Sequence, residues 1–429
     1  MKKLGVKLGV FSMISLTVLT SFIGCSQAKE NSGKTVKLSF QIWDINQKEG
    51  MEQIAAVYKE KHPNVNIEVQ TVNWDEYWTK LEAAANSKNL PDIFWMHSNE
   101  FMKYASAGQL ADLTDLYDDV DKDYYMNNFP TGLVGNATCD GKIYGVPKDW
   151  DTIALAYNKD LFDKAGIAYP DEAWDWDTLI DAAQKIYDKT GAYGFLAPLD
   201  DQAGYLNTVA QSGGYILSED KKTAGFTDEG TKKGIQFWID LQTKYNFSPN
   251  QSQFAENSAE SIFVSDQGSM MFLGSWMVRG WLDNYPELNW DLAILPKCKD
   301  PIVGNGRGTI YNGLFYATAA NNKNPEVVKD FIKFLGSEEA MIIQGKSGAA
   351  IPAYNGTAKY WVEGLQDKLN VNVYEEMMDY GVQYYNSKSK SLWNTTIEDT
   401  LLQVYIGERN LEDALNFLQE EVSEFLANE

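Results

Sequence analysis

The chain has 429 residues with 37 lysine or arginine and 60 aspartate or glutamate side chains, and its formal net charge is −23 at pH 7. This acidity argues against nucleic acid as a partner, because nucleic-acid binding depends on Lys and Arg neutralising phosphates. It argues equally against binding to an anionic lipid surface. The length exceeds what one compact core usually holds, so two domains are expected.

The amino terminus has the features of an export signal. Three lysines precede an uncharged apolar stretch, residues 8–23, that is too short and wrongly flanked for a permanent membrane span. The stretch ends in "FIGC", which resembles a bacterial lipobox with Phe22 in place of the usual leucine. We expect a signal peptide over 1–24, then a lipidated (palmitate-bearing) Cys25 and a polar tether over 25–34. An ordinary signal peptide followed by a chance cysteine is the alternative.

Cysteine and histidine are rare in the remainder of the chain. Cys139 and Cys298 are too few for a disulfide framework, and the sequence leaves open whether they pair. His62 and His97 lie far apart, so a histidine-rich metal site is not expected. The segment "DVDKDY" at 119–124 lacks the glycine of an EF-hand loop and is better interpreted as a solvated face. No metal and no cofactor are expected.

The first part of the chain alternates strand and helix patterns. Period-two alternation or short apolar runs predict strands, and 3.6-residue spacing predicts helices. Strands are predicted at 34–43, 64–72 and 91–96, and helices at 48–63, 74–88 and 100–113. This order predicts an α/β domain with a largely parallel sheet.

A second unit of the same kind is predicted to follow. A strand at 153–157 leads into a short helix, 159–165, that Gly166 ends. Further helices are predicted at 174–191, 234–245 and 324–340, further strands at 268–276 and 290–296, a glycine-rich connection into a strand at 303–317, and a helical tail at 397–427.

Several tryptophans fall at the ends of predicted strands. They are Trp43, Trp95, Trp150 and Trp276. The carboxyl ends of strands in open α/β sheets form the ligand crevice, and indole faces suit the C–H surfaces of sugar rings. Core packing explains any one of them equally well. Four at the same kind of position favour a binding site.

The stretch "YGVPKDWDTIALAYNKDLFDKAG", which begins at Tyr144, resembles the signature region of the family 1 extracellular solute-binding proteins of ABC transporters. The matching elements are the Tyr-Gly-x-Pro motif and, after an apolar strand, Tyr-Asn-Lys-Asp-Leu-Phe at 157–162. "PDIFWMHSNE", "GQLADL", "WDWDTLIDAAQKI", "QSGGYIL", "GSMMFLGSW" and "SGAAIP" resemble other blocks of the family, in family order. The resemblance covers essentially the whole chain after the signal peptide.

The resemblance implies a two-lobed α/β fold of the periplasmic-binding-protein type (type II), with a ligand cleft between lobes and several hinge crossings. Lobe one is then expected at 35–147 plus 303–352, and lobe two at 148–302 plus 353–429. The implied function is a non-enzymatic, monomeric receptor, lipid-anchored on the outer face of the cell membrane. It captures a sugar, preferentially an oligosaccharide, and presents it to the transmembrane subunits of an ABC permease.

The family's ligand-binding positions carry over where its motifs match. These positions are Trp43, Asp44, Trp95, Asp151, Trp276 and Trp393, with Asp201 and Gln202 as weaker candidates. Trp150 is added because it lies at the expected crossing between lobes. Arg307 is expected either to contact the ligand or to support its own loop.

Two other functions stay open at this point. An exported glycoside hydrolase needs two carboxylates across a glycosidic bond, and counting acidic residues does not exclude that. A receptor for a polyol, a glycerol phosphate ester or a polyamine is the second, since Asp44, Asp149 and Asp151 could favour a cation. The sequence does not fix the identity, linkage or length of a sugar, or the permease.

Overall fold

The computed structural model describes residues 35–117 and 126–429. The export signal, Cys25, the tether and the acidic segment 119–124 lie outside the described residues. The strands are β1 (Val36–Ile42), β2 (Val65–Thr71), β3 (Ile93–His97), β4 (Thr138–Cys139), β5 (Lys142–Ile143), β6 (Val146–Pro147), β7 (Asp149–Trp150), β8 (Ile153–Asn158), β9 (Met270–Gly274), β10 (Trp290–Ala293), β11 (Thr309–Tyr311), β12 (Leu314–Ala317), β13 (Ile351–Pro352) and β14 (Gly381–Gln383).

The helices account for most of the remaining regular structure. They are α1 (Lys48–Lys61), α2 (Trp74–Asn86), α3 (Ser98–Ser106), α4 (Thr131–Asn136), α5 (Lys159–Ala165), α6 (Trp176–Thr190), α7 (Leu206–Ser212), α8 (Glu229–Thr243), α9 (Gln251–Glu256), α10 (Ala259–Val264), α11 (Val278–Asn284), α12 (Pro325–Leu335), α13 (Glu338–Ser347), α14 (Ala358–Leu365), α15 (Val373–Met378), α16 (Lys390–Tyr405) and α17 (Leu411–Ala427).

The first sheet has the strand order β2-β1-β3-β12-β6. β1 runs parallel to β2 and to β3, as the alternation of strands and helices predicts. β12 is antiparallel to both of its neighbours, with Leu314 opposite His97 at the carboxyl end of β3. It runs this way because the chain enters the sheet at that end, from the other half of the molecule. The prediction of parallel pairing is therefore confirmed for β1 to β3 and wrong for β12.

The second sheet has the order β10-β8-β9, and both pairings are antiparallel. The prediction of a second unit of the same parallel kind is therefore wrong. β8 begins at Ile153, opposite Gly274 at the end of β9, so β9 runs towards the point where the chain enters the sheet. All of β8 is buried, as expected for a central strand covered on both faces. We call the halves built on the first and second sheets lobe one and lobe two.

Local sequence signals set many of the helix ends. The Asp175 carboxylate accepts the Thr178 N–H at the start of α6, and Gly191 ends that helix in the left-handed conformation. The predicted helical tail is two helices, because Gly407 with a φ of 76° separates α16 from α17. The first of them begins at Lys390, earlier than predicted.

Several chain segments lie side by side between the two sheets. Residues 148–152 join β6 to β8, and residues 294–313 join β10 to β12. β7 pairs with β13 and β11 with β14 across this region. The packing is so close that a Cβ on Gly313 would lie 2.4 Å from the Asp149 carbonyl oxygen, which only glycine avoids. Among the later helices, α14 packs against α13 of lobe one. The exact lobe boundaries expected from the sequence stay predictions.

Cys139 and Cys298 are both buried and both free. Within residues 35–117 and 126–429, no helix is long and apolar enough to cross a membrane. The same residues contain no group of three or more His, Cys, Asp or Glu side chains placed to hold a metal ion.

Candidate functional site

An aromatic wall stands at the carboxyl ends of the parallel strands of lobe one. We give this name to Trp43 after β1, Trp74, Tyr77 and Trp78 of α2, and Trp95 of β3. The Trp43 ring is central, with its centroid 5.2 Å from Trp74, 5.0 Å from Tyr77, 5.7 Å from Trp78 and 5.2 Å from Trp95. Trp74 is 43% exposed and Trp95 is 0% exposed. The wall thus has an exposed front at Trp74 and a buried back at Trp95.

A hydrogen-bonded network crosses from lobe one to lobe two beside this wall. We call it the interlobe network, and its members are His97, Ser98, Asp151, Gln202 and Asn312. The Asn312 amide nitrogen lies 3.1 Å from His97 Nε2 and 3.2 Å from Gln202 Oε1, and Ser98 Oγ donates to Asn312 Oδ1 at 2.7 Å. The Gln202 amide donates to Asp151 Oδ1 at 2.7 Å. The network therefore brings together two predicted site residues, Asp151 and Gln202.

Burial shifts the pKa of both titratable groups of the interlobe network in the direction of their neutral forms. It raises the pKa of Asp151 well above its ordinary value, and the nearby Asp149 charge adds to this effect, whereas the bond from Gln202 opposes it. Burial also lowers the pKa of His97 to about 4, against the opposing attraction of Asp201. A pair of uncharged hydrogen-bonding groups beside aromatic rings suits a neutral polar ligand better than an ion.

A second polar cluster lies in lobe two, around Asp201. Its carboxylate accepts from the Tyr384 hydroxyl and from Lys390 Nζ at 3.3 Å. Lys390 is buried, and its Nζ lies 4.8 Å from the Tyr384 ring centroid and 4.2 Å from that of Trp393. The Tyr384 ring is in turn 6.2 Å from that of His97, so this cluster continues the interlobe network.

Trp43 and Trp276 come from opposite lobes and precede segments that touch. Asn46, three residues after Trp43, lies against α11, since a Cβ on Gly280 would be 3.1 Å from its side-chain nitrogen. Trp276 is half-buried against the lobe-two core and covers Gly274, where an added Cβ would lie 2.1 Å from the indole. The two indoles therefore belong to segments that lead into the same contact between lobes.

The other predicted site residues make contacts of their own. Trp150 is 8% exposed and lies in β7, opposite Ile351. Trp393 is 1% exposed, and its indole nitrogen donates to Ser387 Oγ at 2.8 Å. The Arg307 guanidinium donates to the backbone carbonyls of Leu295 and Glu172. Asp44 accepts from the Asn46 N–H and the Gln47 amide, both at 2.9 Å.

Comparison with known proteins gives a consistent result. Residues 44–342 match the family described as bacterial extracellular solute-binding protein. The chain belongs to this family. The arabinooligosaccharide-binding protein of Bacillus subtilis is 26% identical over 346 residues, which are 78% of this chain and 77% of the relative. The maltooligosaccharide ABC transporter solute-binding lipoprotein of Streptococcus pneumoniae (strain ATCC BAA-255 / R6) is 23% identical over 418 residues, 95% of this chain and 94% of the relative.

A solved structure shows the same fold. The ABC substrate-binding protein from Listeria monocytogenes in complex with cycloalternan superposes with a TM-score of 0.81 at 22% identity, covering 92% of this chain and 100% of the other. The two-lobed architecture of this solute-binding protein is therefore that of the periplasmic binding proteins. The family and these relatives are binding proteins rather than enzymes.

Sequence reasoning missed several residues of the candidate site in this solute-binding protein. They are Trp74, Trp78, His97, Asn312, Tyr384 and Lys390. In the sequence, Trp74 and Trp78 belong to the helical pattern of α2, and His97 has meaning only as a possible metal ligand. A usable signal was present for the first pair, because tryptophans four residues apart share one helix face directly after a strand end. Asn312, Tyr384 and Lys390 carry no such local signal.

The buried Asp151 predicts a pH dependence of stability in the solute-binding protein. Because its folded pKa is raised, its contribution is full below the unfolded pKa near 3.9 and is lost as pH rises through the folded pKa. Asp151→Asn is expected to melt like wild type at and below about pH 4, and at a progressively higher temperature than wild type as the pH rises above the unfolded pKa. Melting curves of both proteins across that range test this, and a difference that does not change with pH would contradict it.

Proposed function

We propose that this protein is the sugar receptor of an ABC importer, which captures an oligosaccharide between its lobes and delivers it to a membrane permease. The observation that carries the proposal is the aromatic wall, whose front indole is 43% exposed and lies beside His97 of the interlobe network. Flat rings pack on the C–H faces of sugars, and amide, imidazole and hydroxyl groups pair with sugar hydroxyls. Two relatives named for oligosaccharides support the same ligand class.

Within this proposal the residues of the candidate site have distinct roles. Trp43, Trp74 and Trp276 stack on sugar rings, and His97 and Gln202 pair with hydroxyls. The buried Asn312 holds these two side chains in place through its amide nitrogen. Trp95, Trp150 and Trp393 are buried and set the shape of the cleft from behind. Asp44 and Arg307 hold their own loops, and Asp151 and Asp201 orient the amide and ammonium groups that they bind.

The carboxylates of the cleft have partners, which argues against a polyamine ligand. Asp149 pairs with Lys148 and Asp201 with Lys390, while Asp44 accepts two hydrogen bonds from its own loop. The raised pKa of Asp151 favours its neutral form. Because these carboxylates are already paired or hydrogen-bonded, they also argue against a hydrolase, which needs one carboxyl group free as an acid and another free to act as nucleophile or base. We therefore propose binding without catalysis.

A thermal-shift screen tests the ligand class. Maltotriose, arabinotriose and galactotriose represent oligosaccharides, and sorbitol, glycerol 3-phosphate and spermidine represent the alternatives. A ligand at 100 times its Kd stabilises the fold by about 2.7 kcal/mol. We expect at least one trisaccharide to raise the melting temperature and to be recovered intact after incubation. Stabilisation by spermidine alone, or release of monosaccharides, would contradict the proposal.

We also propose that the protein is a monomer tethered outside the cell by a lipid on Cys25. Cys25→Ser is expected to abolish metabolic labelling with palmitate and to move the protein from the membrane to the soluble fraction. Cys139→Ser is the matched control, because it removes a buried thiol and leaves labelling unchanged. A Cys25→Ser protein that labels and fractionates like wild type would refute the anchor.

A further inference from the structure

Lys148 is a buried cation that the proposed function does not yet explain. Its side chain is 0% exposed. Its Nζ donates to Gln47 Oε1 at 2.6 Å and to Asp149 Oδ2 at 2.5 Å, and it lies 4.1 Å from the centroid of the Trp95 ring. One ammonium group therefore contacts the loop after β1, the crossing between lobes and the back of the aromatic wall.

On the hinge side, Lys148 and Asp149 tie the crossing segments together. The Lys148 N–H donates to the Leu314 carbonyl at 2.8 Å, and the Lys148 carbonyl accepts from the Gln344 amide at 2.9 Å and from the Ala353 N–H at 3.2 Å. The second oxygen of Asp149 accepts the Leu314 N–H at 2.8 Å. The ammonium is thus attached to the part of the chain where the lobes are joined.

On the ligand side, Gln47 passes the connection to the loop that touches lobe two. Its amide nitrogen donates to Asp44 Oδ2 at 2.9 Å, and Asp44 Oδ1 accepts the Asn46 N–H at 2.9 Å. The Asn46 side chain lies against Gly280 of α11. Gln47 is 4% exposed, so water does not offer it substitute partners.

We propose that Lys148 and Gln47 are positioning residues that couple ligand binding at the aromatic wall to closure of the lobes. The inference rests on the proposed function, because the coupled event is capture of a sugar. A ligand that contacts Trp43 and Asn46 acts on Gln47, and through Lys148 on the crossing segments. The competing explanation is that Lys148 only stabilises lobe one as half of a buried ion pair.

Gln47→Leu separates these explanations, because it removes the amide bridge and leaves the Lys148–Asp149 pair intact. Gln211→Leu is the matched control, since Gln211 is an equally buried amide (1% exposed) whose bonds go to Trp176 and to Gly308 of a crossing segment. It therefore perturbs the crossing without touching the bonds among Gln47, Lys148 and Asp149. The probe is the trisaccharide that wild type binds most tightly among maltotriose, arabinotriose and galactotriose. We expect Gln47→Leu to bind it at least tenfold more weakly in isothermal titration well below the melting temperature. Gln211→Leu binds like wild type.

A ligand-free measurement distinguishes failure of this inference from failure of the proposed function. Spin labels at the exposed positions Glu60 in lobe one and Glu287 in lobe two report the distance between lobes. We expect a shifted or broader distance distribution for ligand-free Gln47→Leu, and a wild-type distribution for Gln211→Leu. If wild type binds no trisaccharide, the proposed function fails and the distance measurement alone decides the inference. If a trisaccharide binds, wild-type affinity in Gln47→Leu overturns the inference. If none binds, a wild-type distance distribution in Gln47→Leu overturns it.

Discussion

Trp95→Ala is expected to lower the free energy of unfolding by about 3–5 kcal/mol, the usual cost of replacing a buried large aromatic side chain by alanine. The ring is 0% exposed and contacts the Trp43 ring, and its indole nitrogen has no hydrogen-bond partner among the described residues. Its removal leaves a cavity and takes the ring away from the Lys148 ammonium. Denaturant unfolding of wild type and variant measures the difference. Wild-type stability combined with lost sugar binding would instead place Trp95 at the ligand.

Trp74→Ala is expected to show the opposite pattern, with sugar affinity weakened by about one to two powers of ten and stability little changed. The Trp74 ring is 43% exposed and faces both Trp43 and His97. By analogy with base stacking on aromatic side chains, one ring contact contributes roughly 1–3 kcal/mol, and about 1.4 kcal/mol corresponds to tenfold in affinity. Isothermal titration and thermal melting of the same preparation separate the two effects.

The exposed Tyr285, 42% exposed in lobe two directly after α11, gives a matched control for Trp74. Tyr285→Ala removes a similarly exposed aromatic ring outside the aromatic wall and is expected to leave affinity unchanged. Normal affinity in Trp74→Ala would show that the front of the wall does not touch the ligand.

Local signals were sufficient for much of the secondary structure. The helix predicted at 174–191 is Trp176–Thr190, because an aspartate cap and a terminal glycine lie at its two ends. The strand predicted at 34–43 is Val36–Ile42. The direction of strand pairing could not be predicted in this way. β8 meets β9 more than a hundred residues later in the chain, so the contacts that set their antiparallel pairing lie outside any local pattern.

The location of the candidate site could be predicted from the sequence, but not which of its tryptophan side chains are exposed. A tryptophan at a strand end is visible in the sequence, but the neighbours that cover it are not. Trp95 is covered by Trp43, Tyr77 and Lys148, which come from other parts of the chain. Trp393 is in contact with Lys390, which reaches its ring only once the first turn of α16 has formed. Trp74 reaches the front because α2 begins beside Trp43, which the helical period alone does not indicate.

Closure around a sugar is the central claim, and small-angle scattering tests it most directly. In the structure the lobes are in contact at two places, between Asn46 and Gly280 and between the rings of His97 and Tyr384. A ligand bound between the lobes would add contacts to both lobes and so favour the closed form. The radius of gyration should therefore fall when the tightest-binding trisaccharide is added to saturation, with binding of one sugar per protein molecule. An unchanged radius at saturation would contradict closure, and the absence of binding by every trisaccharide would contradict the sugar receptor itself.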